Sequence, residues 1–220
     1  HEAKARRVLE RVSAATGRVE FFRWPTDRGW TRDFGPIGVR REHPEPEVAV
    51  AHFRFSGWAK YPDHKKDDQI AERVAKALDL ELRRAIHKGR PVVLEGGAID
   101  VDGKGTILTT EECLLNPNRN PQLSRAEIER LLRRYLNVDV IIWLGKGVHL
   151  DETDGHVDNL CAFVRPAEVV LTWTDDRRDP QYEISRDAYE RLKQARDARG
   201  RRLEVHRLTQ PGPLAMTKGE

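Results

Sequence analysis

The sequence predicts a single α/β domain assembled from a repeated unit of helix, strand, polar turn and strands, and three observations lead there. Helix-period stripes end near residues 17, 79, 137 and 200, a spacing of about 60 residues that marks an internal repeat. Between them lie short apolar runs with the alternation or β-branched content of strands. Polar turns at comparable points of successive units carry Asp33, Glu95 and His156, again about 60 residues apart. Repeats of one supersecondary unit stack or circle a common axis, and equivalent turns then gather at one end of it. The three ionisable residues are therefore expected to converge.

Taken in order, Ala5, Val8, Leu9 and Val12 fall at i, i+3, i+4 and i+7 and read as an amphipathic helix closed by Gly17. An apolar strand is expected over Val19 to Trp24. A turn-rich segment with Gly35 and Pro36 then leads into strands over Ile37 to Arg40 and Val48 to Phe55. Ile70, Val74 and Leu78 mark a second helix ending near Asp79, followed by a strand around Pro91 to Leu94 that runs into Glu95-Gly96-Gly97. Asp102-Gly103 between Ile99 to Val101 and Thr106 to Thr109 is a hairpin signal. Ser124 and Glu127 form a capping box for a third helix with Ile128, Leu131, Leu132 and Tyr135 inward, stopping near Asn137. Strands follow at Val138 to Leu144 and Val169 to Trp173. A fourth helix, with Ala188, Tyr189 and Leu192 inward, is expected to end at Gly200 before a strand from Leu203 to Leu208.

Composition narrows the class. Of 220 residues, 34% are charged and 38% apolar, with mean hydropathy −0.69; the apolar residues are arranged in periodic blocks, as in a water-soluble globular protein. No run approaches the roughly 20 apolar residues of a membrane-spanning helix, so no membrane partner is expected. The net charge of +3 is spread among both signs, and no basic stripe interleaved with aromatics suggests nucleic acid. The two cysteines, Cys113 and Cys161, form no Cys-x-x-Cys pair, which fits a reducing cytoplasm and disfavours zinc ribbons. The chain starts at His1 rather than Met, so its true amino terminus is expected upstream.

Residues 149–161 hold the densest chemistry. Six ionisable side chains crowd into ten positions, and in an extended chain His156 and Asp158 would share a face while Val157 points away. Histidine titrates near neutral pH and an ionised carboxylate only accepts hydrogen bonds. The pairing suits proton transfer on a cationic substrate; a solvated polar loop is the plainer alternative.

Four motifs in order, Trp30-Thr31-Arg32-Asp33-Phe34-Gly35-Pro36, Glu95-Gly96-Gly97, Asn116-Pro117-Asn118-Arg119-Asn120-Pro121 and Gly155-His156-Val157-Asp158-Asn159, resemble the agmatine deiminase family of guanidine-modifying enzymes. Thr109 to Asn116 and Trp173-Thr174-Asp175-Asp176 extend the likeness over nearly the whole chain. The resemblance implies a pentein, an α/β propeller of ββαβ units, of which this chain would hold roughly three and a half of five, as one domain over residues 1–220 truncated at both ends. It implies a hydrolase of linear amidine C–N bonds that turns agmatine into N-carbamoylputrescine and ammonia, in polyamine synthesis, with no cofactor and no metal. Asp33 and Asp158 would clamp the guanidinium, a planar cation that carboxylates suit. His156 would be the general acid and then the base, and Glu95 would hydrogen-bond and tune it. Trp30 would wall the substrate by cation–π attraction; core packing fits it equally.

One part of the family pattern is missing. The family's nucleophilic cysteine lies in a Gly-rich carboxyl-terminal segment that has no counterpart here, and Cys113 and Cys161 match its non-catalytic, buried cysteines. The nucleophile is thus expected beyond residue 220, and the 220-residue chain alone is expected to be silent. With strand edges uncovered it should fold poorly or associate, which leaves room for a homo-oligomer. Three rivals remain: arginine or peptidylarginine deimination, or amidinotransfer; a non-catalytic binding module; and a divalent-ion site among His149, Asp151, Glu152, Asp154, His156 and Asp158, which lacks a His-x-x-x-His helix or a calcium loop.

Overall fold

The computed structural model describes residues 1–12, 17, 19–42 and 44–211. Helix α1 (Glu2–Arg11) carries the predicted stripe but buries none of it, and Val12 is its cap. The predicted closure at Gly17 lies past residues that are not described. Helix α2 (Thr31–Phe34) is a single turn that buries Asp33 and Phe34.

From Ile37 onward one topology occurs three times. Strand β1 (Ile37–Arg41) pairs antiparallel with β2 (Glu47–His52); after α3 (Ile70–Ala77) the chain returns as β3 (Glu81–Arg84), parallel to β2. A two-residue hairpin follows, β4 (Ile86–His87) and β5 (Arg90–Pro91), turned by Lys88 and Gly89 at positive φ. In the second unit β6 (Ile99–Val101) pairs antiparallel with β7 (Thr106–Thr110). Past the short α4 (Glu111–Leu114) and α5 (Arg125–Leu136), β8 (Val140–Leu144) runs parallel to β7. The third unit joins β9 (Cys161–Arg165), β10 (Glu168–Trp173), α6 (Gln181–Gln194) and β11 (Glu204–Thr209) in the same way. A helical crossover is what a parallel return requires.

Helix α5 is fixed by signals read above. Ser124 and Glu127 form both capping-box bonds, and Asn137 ends α5 at φ 54°, a left-handed position asparagine tolerates. Ile128, Leu131 and Leu132 pack with Ala51, Leu94, Ile107 and Trp143 between the first two sheets. Leu108, Leu144, Leu171, Ala188 and Leu192 form the matching core between the second and third. Burying a side chain of this size stabilises by about 1.5–3 kcal/mol, so these two apolar layers hold the units in register.

Five expectations need correction. Val19 to Trp24 is not a strand: no strand among the described residues pairs with it, and the rings of Phe22 and Trp24 instead stack at 4.6 Å, with Phe22 45% exposed. The unit's returning strand is β3, not Pro91 to Leu94, of which only Pro91 lies in a strand and Val93 makes a lone bridge to Arg54. The parallel return needs the segment straight after the helix, and Glu-Leu-Arg-Arg hid it because only Leu82 is apolar. Helix α6 ends at Gln194, because Asp197 caps the next turn by accepting from the amides of Arg199 and Arg201. Strand β2 stops at His52, short of Phe55. His156 and Asp158 stand in a turn before β9, not on a strand.

Candidate active site

The first strand of each unit is entered through a polar turn, and those turns meet. Asp33 sits on α2 just before β1, Glu95 precedes a 3-10 turn over Gly96–Ala98 just before β6, and His156 and Asp158 precede β9. A Cβ added at Gly97 would stand 2.5 Å from His156 Nδ1, 2.6 Å from Asp33 Oδ1 and 2.9 Å from Asp158 Oδ2. Three polar side chains from two distant units therefore face one glycine, and any larger residue there would fill the space they share.

Each group is held from behind. Asp33 Oδ1 accepts from the Gly97 amide at 3.0 Å and Oδ2 from the Trp58 indole at 3.1 Å. Trp58 reaches it from a left-handed backbone position (φ 56°) next to Gly57, packed edge-on against Phe55; such a conformation costs of order 1–3 kcal/mol and persists where surrounding contacts over-determine it. The Asp158 amide donates to the Gly97 carbonyl at 3.2 Å. His156 lies with Nδ1 3.7 Å from Asp33 Oδ1 and Nε2 4.0 Å from Glu95 Oε2, both pairs being too far apart for a hydrogen bond. Its amide donates to Asp151 Oδ2 and Thr153 Oγ1, each at 3.2 Å.

Arg119 buttresses the site. Its side chain is fully buried and donates to Glu95 Oε1 at 3.1 Å, Asn118 Oδ1 at 2.9 Å, Asp154 Oδ2 at 2.8 Å and the Thr153 carbonyl at 2.7 Å. It ties the second unit's Glu95 to the loop that carries His156. Arg32 donates to the carbonyls of Gly96 and Ile99 and lies 4.0 Å from Asp158.

Burial sets the protonation states. It pulls His156 down to about 4, so the imidazole is neutral at physiological pH. Burial, reinforced by the neighbouring Asp33, pushes Asp158 up to about 6. Asp33 and Glu95 are also raised by burial, against the Gly97 and Trp58 hydrogen bonds in the first case and Arg119 in the second. The only cation beside the two carboxylates around Gly97, among the described residues, is Arg32, which lies 4.0 Å from Asp158 and spends its hydrogen bonds on the carbonyls of Gly96 and Ile99, an arrangement that leaves room for a cationic guest.

Asp33, Glu95, His156 and Asp158 are brought together. Trp30 is 66% exposed, which removes core packing as its role. Asp154 is taken up by Arg119 and Lys60, and Asp151 by its own turn. Cys113 and Cys161 are buried, and burial pushes both thiols far up. A cleft of about 860 Å³ between the first and second sheets, lined by Arg32, Val39, Val101 and Asn137 among others, includes none of the four site residues. The sequence reading missed Trp58, Gly97 and Arg119 as site residues. Arg119 carried a signal, a lone charge inside an Asn- and Pro-rich motif.

The Porphyromonas-type peptidyl-arginine deiminase family model matches residues 1–220. The agmatine deiminase of Pseudomonas aeruginosa is 48% identical over 209 residues, 93% of this chain and 55% of that protein. The solved agmatine deiminase of Enterococcus faecalis aligns with TM-score 0.81 at 40% identity, covering 89% of this chain and 53% of that one. A cysteine-to-serine variant of the C. jejuni agmatine deiminase with substrate bound aligns with TM-score 0.79 at 30% identity, over 94% of this chain and 59% of that one. The chain spans about half the length of the curated relatives it matches. The three ββαβ units are those of the pentein-type propeller that the motifs implied. With its whole length matched and three motif residues gathered around one glycine, the chain belongs to the Porphyromonas-type peptidyl-arginine deiminase family, and its resemblance to agmatine deiminases is borne out.

Proposed function

We propose that the protein to which this chain belongs is a hydrolase that deiminates agmatine, giving N-carbamoylputrescine and ammonia. The observation that carries the reading is the facing of Asp33, Asp158 and His156 around Gly97, and the names of the relatives support agmatine as the substrate.

In this reading Asp33 and Asp158 accept the N–H groups of the guanidinium, charge-assisted bonds that fix its plane. A thiolate attacks the guanidinium carbon and forms a tetrahedral adduct. His156 gives a proton to the departing nitrogen, which leaves as ammonia, and then takes one from the water that attacks the amidino-thioether, releasing the ureido product and the thiol. Because burial holds His156 neutral, the proton it gives must reach it first, from the attacking thiol or the cationic substrate. Glu95, pinned by Arg119, supplies the carboxylate that the imidazolium would face once His156 has taken a proton. Both cysteines of the chain are buried with raised thiols, so the reading draws the attacking thiol from outside these 220 residues. The working protein is read as cytoplasmic, in keeping with the lack of any helix among the described residues long and apolar enough to cross a membrane.

The test is ammonia release from agmatine and from arginine by the protein expressed from its complete reading frame, with and without His156→Ala. Turnover of agmatine lost with His156→Ala is expected; turnover of arginine alone would overturn the substrate, and full activity in the variant would overturn the role of His156.

A further inference from the structure

Behind His156 lies a constellation that shares Glu95 and His156 with the proposed reaction and adds Cys113, which that reaction leaves unused. One donor atom from each of Glu95, Cys113 and His156 falls within 4.8 Å of the other two, and all three residues are buried. Two of the atoms there have no hydrogen-bond partner: Glu95 Oε2 and His156 Nε2, on side chains 0% and 2% exposed. Buried polar atoms without a partner are rare in native proteins and call for an explanation.

The cause of the vacancy in bonding is visible. Arg119 occupies Glu95 Oε1 and leaves Oε2 free, while the 4.0 Å separation of Oε2 from Nε2 is too long for a direct bond and suits two ligands of a shared centre. Cys113 is set at this place by its position on α4, whose first turn Thr110 caps by accepting from the Cys113 amide. Thiolate, imidazole and carboxylate are the donor set of a borderline-soft divalent cation, and donors on one tetrahedral Zn²⁺ lie about 3.3–3.8 Å apart. A contraction of about 1 Å brings the three to that spacing.

We propose that Glu95, Cys113 and His156 form a three-ligand site for Zn²⁺ or a cation of the same class, with one coordination position left open. Uptake forms bonds to sulfur, nitrogen and oxygen and releases the Cys113 thiol proton to solvent. The thiolate and carboxylate together neutralise the ion, and both partnerless atoms become satisfied. On the deiminase reading above, an ion on Nε2 removes His156 from proton transfer, so the site is inhibitory rather than catalytic.

The site is tested with cobalt(II), which reports a thiolate ligand by its charge-transfer absorption and needs no enzymatic activity. Titration of the protein expressed from its complete reading frame should give this band, saturating at one ion per chain and displaced by Zn²⁺. Cys161→Ser should retain the band, Cys113→Ser should lose it with its circular dichroism unchanged, and Glu95→Gln should bind cobalt at least tenfold more weakly. Absence of the band in the parent chain, its survival in Cys113→Ser, or unchanged affinity in Glu95→Gln would overturn the assignment. Failure of the deiminase reading would leave these spectra untouched, so the two are separable.

Discussion

His156 Nδ1 lies 3.7 Å from Asp33 Oδ1, although Asp33 leads into the first repeat and His156 into the third. Their meeting is a product of the repeat itself. Each unit begins at a turn on the same end of the assembly, so a histidine and a carboxylate far apart in sequence become neighbours without a dedicated linker.

The narrowest point of that meeting is Gly97, and Gly97→Ala should cost activity more than stability. The new methyl would need the space of His156 Nδ1, Asp33 Oδ1 and Asp158 Oδ2, all under 3.0 Å away. Displacing reacting groups by about 1 Å costs on the order of 100-fold. Steady-state kinetics of the complete protein should show kcat/KM down by about that factor; an unchanged value would mean that the three groups do not act on one substrate.

Asp158 predicts the acid limb of the pH profile. With the carboxyl raised to about 6 in the free protein, it is charged above that pH and neutral below it, while the guanidinium stays cationic throughout. Lowering the pH through 6 therefore removes attraction, and kcat/KM for agmatine should fall about tenfold per unit below it. His156, at about 4, is not the group responsible. Asp158→Asn should lower kcat/KM at neutral pH and flatten this limb; a limb that persists would assign it elsewhere.

Arg119 should dominate the site's stability. Arg119→Met strands a fully buried Glu95 and cuts the tie to Thr153 and Asp154; breaking one partner of a buried pair costs about 3–5 kcal/mol. Arg119→Lys should not restore it, since one ammonium cannot span four acceptors set for a planar fork. Urea unfolding at pH 8 reads both, and a loss under about 1 kcal/mol would contradict the buttressing role.

Chelation should leave turnover intact or raise it, because attack of a thiolate on a guanidinium carbon needs no Lewis acid. Activity lost in EDTA and restored by zinc would reverse the assignment of His156 from proton carrier to metal ligand.

Much of this was legible because local signals and the global pattern agree. The Ser124–Glu127 capping box, the Asn137 stop and the Asp102-Gly103 turn each act within a few residues, and the buried stripe of α5 follows its helical period. Glu95 and His156 could be paired because equivalent turns of a repeat share an end. Strand β3 was hidden because an edge segment such as Glu81-Leu82-Arg83-Arg84 keeps charges toward solvent and shows no alternation. Trp58 and Gly97 were hidden because their roles depend on what they approach in space: an indole aimed at Asp33, and an absent Cβ.

The central claim, that Asp33 and Asp158 clamp a guanidinium beside His156, is tested most directly by binding rather than turnover. Calorimetric titration of agmatine into the complete protein carrying His156→Gln should show saturable binding at pH 8. Adding Asp33→Asn or Asp158→Asn should each weaken it by at least about tenfold, the 1.4 kcal/mol within reach of one charge-assisted hydrogen bond. Equal affinity in all three proteins would contradict the clamp.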